Sequence, residues 1–165
     1  MNNSLIYMIN TGATSVLAGG IVPLPTIARR RGRCIQSDNA SIVLNAPGYY
    51  HVTATVTYTA PAAGNIALSI QKNGVTVPGL TGSSTIATAN TQIQQITING
   101  IVRVGCNEGA SVLTLVNNGL AINTSNVSFD VEYLDWSKWS FFRYHYNFIF
   151  YNWSWKFVFK WRTSE

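Results

Sequence analysis

The chain has 165 residues, of which 10% are Asp, Glu, Lys or Arg and 47% are hydrophobic. This length predicts a single domain with a hydrophobic core. The net charge of +5 is uneven: residues 1–135 carry six basic and five acidic side chains, whereas residues 136–165 carry five and one. The chain has no stretch of about 20 consecutive apolar residues, so no membrane-spanning helix is expected. Residues 1–135 are nearly neutral, so the net charge does not indicate nucleic-acid binding.

The first third of the chain predicts short strands and one basic loop. Residues 1–13 are expected to form an N-terminal arm, and residues 14–22 a short strand that the Pro-Leu-Pro of 23–25 ends. Proline ends it because it has no amide hydrogen to donate to a sheet. Residues 28–33, ARRRGR, are predicted to form a basic loop. Two more short strands are expected, at 34–36 and 41–44.

The stretch 49–59, YYHVTATVTYT, has the clearest pattern in the chain. Its even positions, from Tyr50 to Tyr58, are apolar, and its odd positions, from His51 to Thr59, are polar. Successive side chains on a strand point to opposite faces of the sheet. The pattern therefore predicts a half-buried strand with one dry face and one face of threonines.

A hairpin and a second long strand follow. An Asn-Gly pair predicts a type I′ turn between a strand at 65–71 and its partner at 75–80. A loop rich in Gly, Ser, Thr and Ala is expected at 79–90. The strand pattern of 91–104 changes phase after Ile93, and such a slip predicts a bulge or bend.

Two more strands are predicted before residue 135, where the composition of the chain changes. Residues 110–116 are apolar on both faces, which is typical of a strand buried on both sides, and 127–134 alternate again. In total the chain shows eight or nine short strands and no amphipathic helix. This spacing predicts an all-β fold, an antiparallel two-sheet jelly-roll sandwich at residues 14–135.

Residues 136–165 contain all five tryptophans and 14 of the 20 aromatic residues. In one interpretation they form a separate interaction segment that stacks on sugars or contacts a membrane interface, through Trp153, Trp155 and Trp161. In the other they are translated out of frame, because the tryptophan codon TGG gives glycine in the next frame. Membrane contact is expected only under the first interpretation.

The sharpest charge feature is a cluster of four arginines: Arg29, Arg30, Arg31 and Arg33. Guanidinium groups match phosphate and carboxylate geometry, so this cluster is the candidate site for an acidic polymer, a host-surface glycan or a capsid surface. The alternative is a solvated loop that contributes only solubility.

No catalytic or metal-binding motif stands out. Neither His51 nor His145 lies in a Ser–His–Asp pattern, and the six acidic residues form no calcium-binding loop. We therefore predict no catalytic residues, no metal and no cofactor. Cys34 and Cys106 are either disulfide-bonded or two packed thiols, and their spacing leaves both alternatives open.

Four stretches in order carry a family resemblance: GGIVPLP (19–25), GYYHVTATVTY (48–58), ALSIQKNGVTVPG (67–79) and TANTQIQQITINGIVRV (88–104). Over residues 14–134 the chain resembles the C1q/TNF-like jelly-roll domain of bacterial collagen-like exosporium glycoproteins and of phage head-fibre or decoration proteins. The most specific pieces are the Gly-Tyr-Tyr and the Asn-Gly-x-x-Val-Pro-Gly hairpin. The chain has no Gly-X-Y repeat, and its aromatic tail has no counterpart in that family.

The resemblance implies a homotrimer, in which we expect four aromatic residues to pack: Tyr50, Tyr58, Phe129 and Tyr133. It also implies a non-enzymatic structural or adhesive module on a virion surface, which binds the capsid or a host-surface glycan. The alternative location is the spore or cell surface of a Gram-positive bacterium, as for exosporium glycoproteins. A glycan-active enzyme on a β-sandwich is the competing functional class, without a motif to support it.

Overall fold

The computed structural model of the chain describes residues 4–38 and 40–134. These residues form eleven β-strands and no helix. The strands are β1 (Leu5–Asn10), β2 (Thr14–Val16), β3 (Thr26–Arg31), β4 (Ile35–Asp38), β5 (Ser41–Leu44), β6 (Gly48–Thr59), β7 (Gly64–Lys72), β8 (Val75–Ile86), β9 (Gln94–Val104), β10 (Ser111–Asn117) and β11 (Ile122–Leu134).

The strands form two antiparallel sheets. A six-stranded sheet has the order β3-β1-β11-β6-β9, with β2 also paired to β11, and a five-stranded sheet has the order β4-β5-β10-β7-β8. The chain passes repeatedly from one sheet to the other, for example from β3 to β4 and from β5 to β6. The predicted all-β, two-sheet jelly roll is thereby confirmed.

The core lies between the sheets, and β6 shows why. The apolar side chains at its even positions, including Tyr50, Val52 and Tyr58, are at most 1% exposed, and the threonines between them are half-buried on the opposite face. Phe129 on the neighbouring β11 is also fully buried. Complete burial of a large apolar side chain contributes roughly 1.5–3 kcal/mol, so this alternation drives the sheets together.

Two N-terminal segments form strands that the sequence pattern missed. Residues 5–10, assigned to an arm, form β1 inside the six-stranded sheet, between β3 and β11. The sandwich therefore begins before residue 14. Arg29 to Arg31, predicted in a loop, lie on β3 at the sheet edge. Every residue of β3 is exposed, so the strand forms through backbone pairing with β1. Such pairing requires no alternation of apolar and polar side chains, and the sequence therefore shows no strand pattern here.

The predictions for 79–104 are also corrected. Most of the expected loop is strand, because β8 continues to Ile86 after residues 77–80 bulge out opposite Ile70. The phase slip at Ile93 is not a bulge within a strand. Ile93 precedes β9, which begins at Gln94, and is 70% exposed.

Cys34 and Cys106 are not joined by a disulfide. Cys34 is half-buried, but Cys106 is exposed, so the packed-thiol alternative fits only the first. The aromatic tail at 136–165 and its predicted contact residues Trp153, Trp155 and Trp161 lie outside the described residues.

Candidate interaction face

The four arginines lie at the β3 edge of the six-stranded sheet. Arg29 and Arg31 are opposite Tyr7 and Leu5 of β1, and Arg33 follows in the turn to β4. All four side chains are exposed, and none makes an ion pair with another residue of the described chain. We call Arg29, Arg30, Arg31 and Arg33 the arginine edge. Its charges are available to an external partner.

The side of the six-stranded sheet that faces away from the core is called the outer face. Its members are half-buried or exposed, and Arg29 and Arg31 of β3 flank it, because they are paired with Tyr7 and Leu5. The members on the other four strands are Leu5, Tyr7 and Ile9 on β1; Ser128, Asp130 and Glu132 on β11; Tyr49, His51, Thr53, Thr55 and Thr57 on β6; and Gln95, Thr97, Asn99, Ile101 and Arg103 on β9. An apolar stripe on β1 thus lies beside a broad area of uncharged polar side chains.

Hydrogen bonds between side chains join β6 to β9 across the outer face. Asn99 donates to Thr53 Oγ1 at 3.2 Å, and its Oδ1 lies 3.2 Å from His51 Nε2. The hydroxyls of Thr55 and Thr97 are also 3.2 Å apart. Thr53 and Thr55 are directly opposite Asn99 and Thr97, whereas His51 is opposite Ile101, two residues from Asn99. These bonds hold the polar side chains of the two strands in defined positions.

Asp130 is the one acidic group of the outer face with a buried oxygen. Its Oδ1 is inaccessible to solvent and has no hydrogen-bond partner. Burial, followed by the nearby Glu132 carboxylate, raises the pKa of Asp130 above its usual value. Among the described residues the outer face carries two acids, Asp130 and Glu132, and both lie on β11.

Three of the four aromatic residues predicted to pack in a trimer lie inside the protomer. Tyr50, Tyr58 and Phe129 are fully buried between the sheets and have no surface for a second chain. Tyr50 donates to the Ala46 carbonyl at 2.6 Å, and burial raises its pKa to about 12. Tyr133 is half-buried and makes an edge-to-face contact with Tyr50, at a centroid distance of 5.2 Å.

A corner that the sequence did not predict lies near the start of β8. Lys72 forms an ion pair with Glu108 and donates to the Arg103 carbonyl oxygen at 2.7 Å. The hydrogen bond from Lys72 lowers the pKa of Glu108. An open hollow of about 260 Å³ lies beside this pair, lined by Lys72, Val75, Thr76, Val77, Pro78, Val102 and Arg103. Lys72 lies 31 positions from Arg103 and 36 from Glu108, so no local motif could reveal this corner.

The described residues contain no group of three or more His, Cys, Asp or Glu side chains that could hold a metal ion. Among the same residues no helix is long and apolar enough to cross a membrane. The ring of His51 is bonded to an amide rather than to a nucleophile. His145 lies outside the described part of the chain.

No protein-family model matches the sequence, and no curated protein matches it. Solved structures do match. Eiger TNF from S. frugiperda aligns with a TM-score of 0.63 at 9% identity, over 81% of this chain and 92% of that one. Murine APRIL at pH 5.0 aligns with a TM-score of 0.61 at 11% identity, over 81% and 100%.

Two further solved structures also align with this chain. The globular domain of zebrafish complement 1qA aligns with a TM-score of 0.60 at 7% identity, over 80% of this chain and 98% of that one. Vertex protein P5 of PRD1 aligns with a TM-score of 0.51 at 16% identity, over 80% and 97%. Identities this low establish the fold alone: the chain has the jelly-roll fold of the TNF and C1q domains.

Proposed function

We propose that this chain is a non-enzymatic structural module that assembles as a homotrimer and is displayed on the surface of a virion. Its fold is that of TNF and C1q domains, and a vertex protein of PRD1 shares the fold. The arginine edge binds an acidic polymer or glycan on the partner surface. The surface of a spore or of a Gram-positive cell is the alternative location for the same module.

The observation that carries the trimer is the composition of the outer face. It combines the apolar stripe Leu5, Tyr7 and Ile9 with uncharged threonines and amides. Among the described residues its charged side chains are Asp130 and Glu132 on β11 and, at the two edges of the sheet, Arg29, Arg31 and Arg103. In a trimer, the side chains at the threefold axis meet their own copies, whereas neighbouring chains contact each other through two different surfaces. Uncharged side chains can lie against their own copies there, whereas like charges would repel.

The three buried aromatic residues are therefore replaced in the proposal by the side chains of the outer face. Tyr7, which is half-buried at the centre of the β1 stripe, provides the aromatic surface. Tyr133 remains in the proposal, because part of its ring is accessible.

Solution mass, measured by light scattering on the full chain, tests this proposal. The unmodified chain is expected to have three times the protomer mass. Thr55→Arg places a charge at the centre of the outer face and is expected to give a monomer. Thr114→Arg is the matched control, because Thr114 is also half-buried but lies on β10 in the five-stranded sheet.

A monomeric unmodified chain would contradict the trimer. If Thr114→Arg dissociates the trimer and Thr55→Arg does not, the contact lies on the five-stranded sheet instead. Circular dichroism of each variant, compared with the unmodified chain, establishes that the variants remain folded.

A further inference from the structure

The backbone of β3 is paired on one side only. β3 is the last strand of the six-stranded sheet and pairs with β1, and the described residues contain no strand on its other side. All six of its side chains are exposed. An edge strand carries a row of unpaired N–H and C=O groups that can pair with an added strand. We call this unpaired side the β3 edge.

The arginines of β3 lie on both faces of this edge. Arg29 is paired with Tyr7, whose side chain is on the outer face. Arg30 is paired with Ile6, which is fully buried, so the Arg30 side chain is on the opposite face of the sheet, and Arg31 is again on the outer face. The side chains of an added strand alternate between the same two faces. Such a strand therefore meets positive charge on each of them.

The charges disfavour two of the occupants that an edge strand can take. A second copy of β3 would set one arginine cluster against another, and like charges in cross-strand positions destabilise pairing. Residues 136–165 carry five basic side chains and one acidic side chain, so this segment of the chain is not complementary either. The four arginines of the arginine edge have no ion pair within the described chain. They favour a partner with consecutive acidic groups.

The backbone of the edge distinguishes an acidic polypeptide from other anionic polymers. Polyphosphate supplies acceptor oxygens for the N–H groups of β3 but no donors for its C=O groups, and an anionic polysaccharide has no backbone amides to continue the ladder. A peptide strand supplies both N–H and C=O groups along its length. Acidic side chains on that strand add opposite-charge pairs with the arginines on both faces.

We infer that the β3 edge binds an extended acidic segment of another protein by strand addition, with consecutive acidic side chains in contact with Arg29, Arg30 and Arg31. This inference rests on the proposed role of the arginine edge and specifies that its partner is a polypeptide. The added strand extends the six-stranded sheet beyond β3, outside the apolar stripe and the polar area of the outer face.

The two acids of the outer face do not oppose this partner strongly. Asp130 and Glu132 lie on β11, so an added strand is three strand spacings away from them, roughly 14 Å. This distance exceeds the Debye length of about 8 Å at physiological ionic strength. The arginines of β3 are one spacing away and dominate the local charge.

Binding of synthetic peptides to the full chain tests the inference. The probe has three consecutive glutamates flanked by valine and threonine, which favour strands. A matched peptide with glutamine in place of glutamate removes the charge. A third peptide, N-methylated along the glutamates, keeps the charge and removes the N–H donors. Both should bind at least about tenfold more weakly than the probe, because several hydrogen bonds or ion pairs are lost together.

Variants of the chain test the contacts on each face. Arg29→Gln with Arg31→Gln removes charge from the outer face of the edge, and Arg30→Gln removes it from the other face. Each arginine lost should weaken binding of the glutamate peptide by about 1.5- to 5-fold, the effect of one opposite-charge cross-strand pair. Arg103→Gln is the matched control, because it removes the same charge from an exposed side chain on β9, the other edge strand. It should leave binding unchanged.

Hydrogen exchange locates the bound peptide. Binding should slow the exchange of backbone amides in β3 and leave those of β9 unchanged. Slower exchange at β9 alone, equal binding of the N-methylated peptide, or equal effects of Arg30→Gln and Arg103→Gln would overturn strand addition at the β3 edge.

Inorganic polyphosphate and solution mass separate this inference from the proposed function. A trimeric chain that binds polyphosphate through the arginine edge, but not the glutamate peptide, overturns the inference and leaves the proposed function intact. A trimeric chain that binds neither probe overturns the inference together with the role of the arginine edge. A monomeric chain that binds the peptide overturns the trimer and supports strand addition, because β1 and β3 belong to one protomer.

Discussion

The Asp130 carboxyl group on the outer face has one oxygen that neither water nor a hydrogen-bond donor reaches. Burial and Glu132 raise its pKa, so the folded protein binds this proton more tightly than the unfolded chain does. When folding raises the pKa of an acid, the protonated acid stabilises the folded state. This stabilisation is complete at pH values below the pKa of the unfolded chain, and it is lost as the pH rises through the pKa of the folded protein. Asp130 therefore destabilises the fold at neutral pH.

Asp130→Asn is expected to raise the free energy of unfolding at pH 7, because it removes a partly desolvated charge. The gain should be below about 1 kcal/mol, since the group is partly screened by solvent. It should shrink as pH falls towards the usual Asp pKa of 3.8, where the wild-type carboxyl is also neutral. Urea unfolding at pH 7 and near pH 3.5 measures this. A gain of the same size at both pH values would show that charge is not the cause.

At the scale of the elements, the turn between β10 and β11 packs directly on the backbone of β7. A Cβ added at Gly119 would lie 2.4 Å from the Ala67 amide nitrogen and 2.8 Å from the Ile66 Cα. The backbone N–H of neighbouring Asn118 donates to the Ala67 carbonyl oxygen at 2.7 Å. A backbone cannot rotate away as a side chain does, so glycine is required here by close approach.

Gly119→Ala is therefore expected to lower the free energy of unfolding by about 1–3 kcal/mol, the typical cost of overpacking a site that cannot adjust. Gly12→Ala is the matched control, because its Cβ would meet only the Asn10 side chain, at 3.4 Å. Chemical denaturation of both variants gives the comparison. Equal losses in the two variants would mean that general loss of glycine flexibility, rather than contact with β7, sets the cost.

At the scale of the whole molecule, the proposed trimer couples stability to concentration. A partner that binds only the folded state raises the apparent stability by mass action. With an unfolding enthalpy of about 0.7 kcal/mol per residue, the Tm of a trimer should rise by roughly 3–4 °C for each tenfold increase in protein concentration. Calorimetry over a hundredfold range measures this, and the monomer expected for Thr55→Arg should show no such rise.

Predictions from the sequence succeeded where side-chain alternation alone forms a strand. The threonines of β6 and the apolar residues of β11 required nothing beyond their spacing, because one face of each strand is buried. They failed for β3 and the second half of β8, which pair through the backbone while their side chains stay mostly exposed. A ladder of backbone hydrogen bonds does not depend on residue type, so the sequence does not reveal it.

The candidate site was likewise predicted only in part from the sequence. The sequence alone identified the arginine cluster and the jelly-roll fold, since charge and strand alternation are local properties. Only the tertiary structure placed Arg103 at one edge of the sheet whose other edge carries the arginine edge, and Tyr50 and Phe129 in the core rather than at a contact. Which residues share a face depends on strand order and register, and these are set by long-range pairing that no stretch of sequence contains.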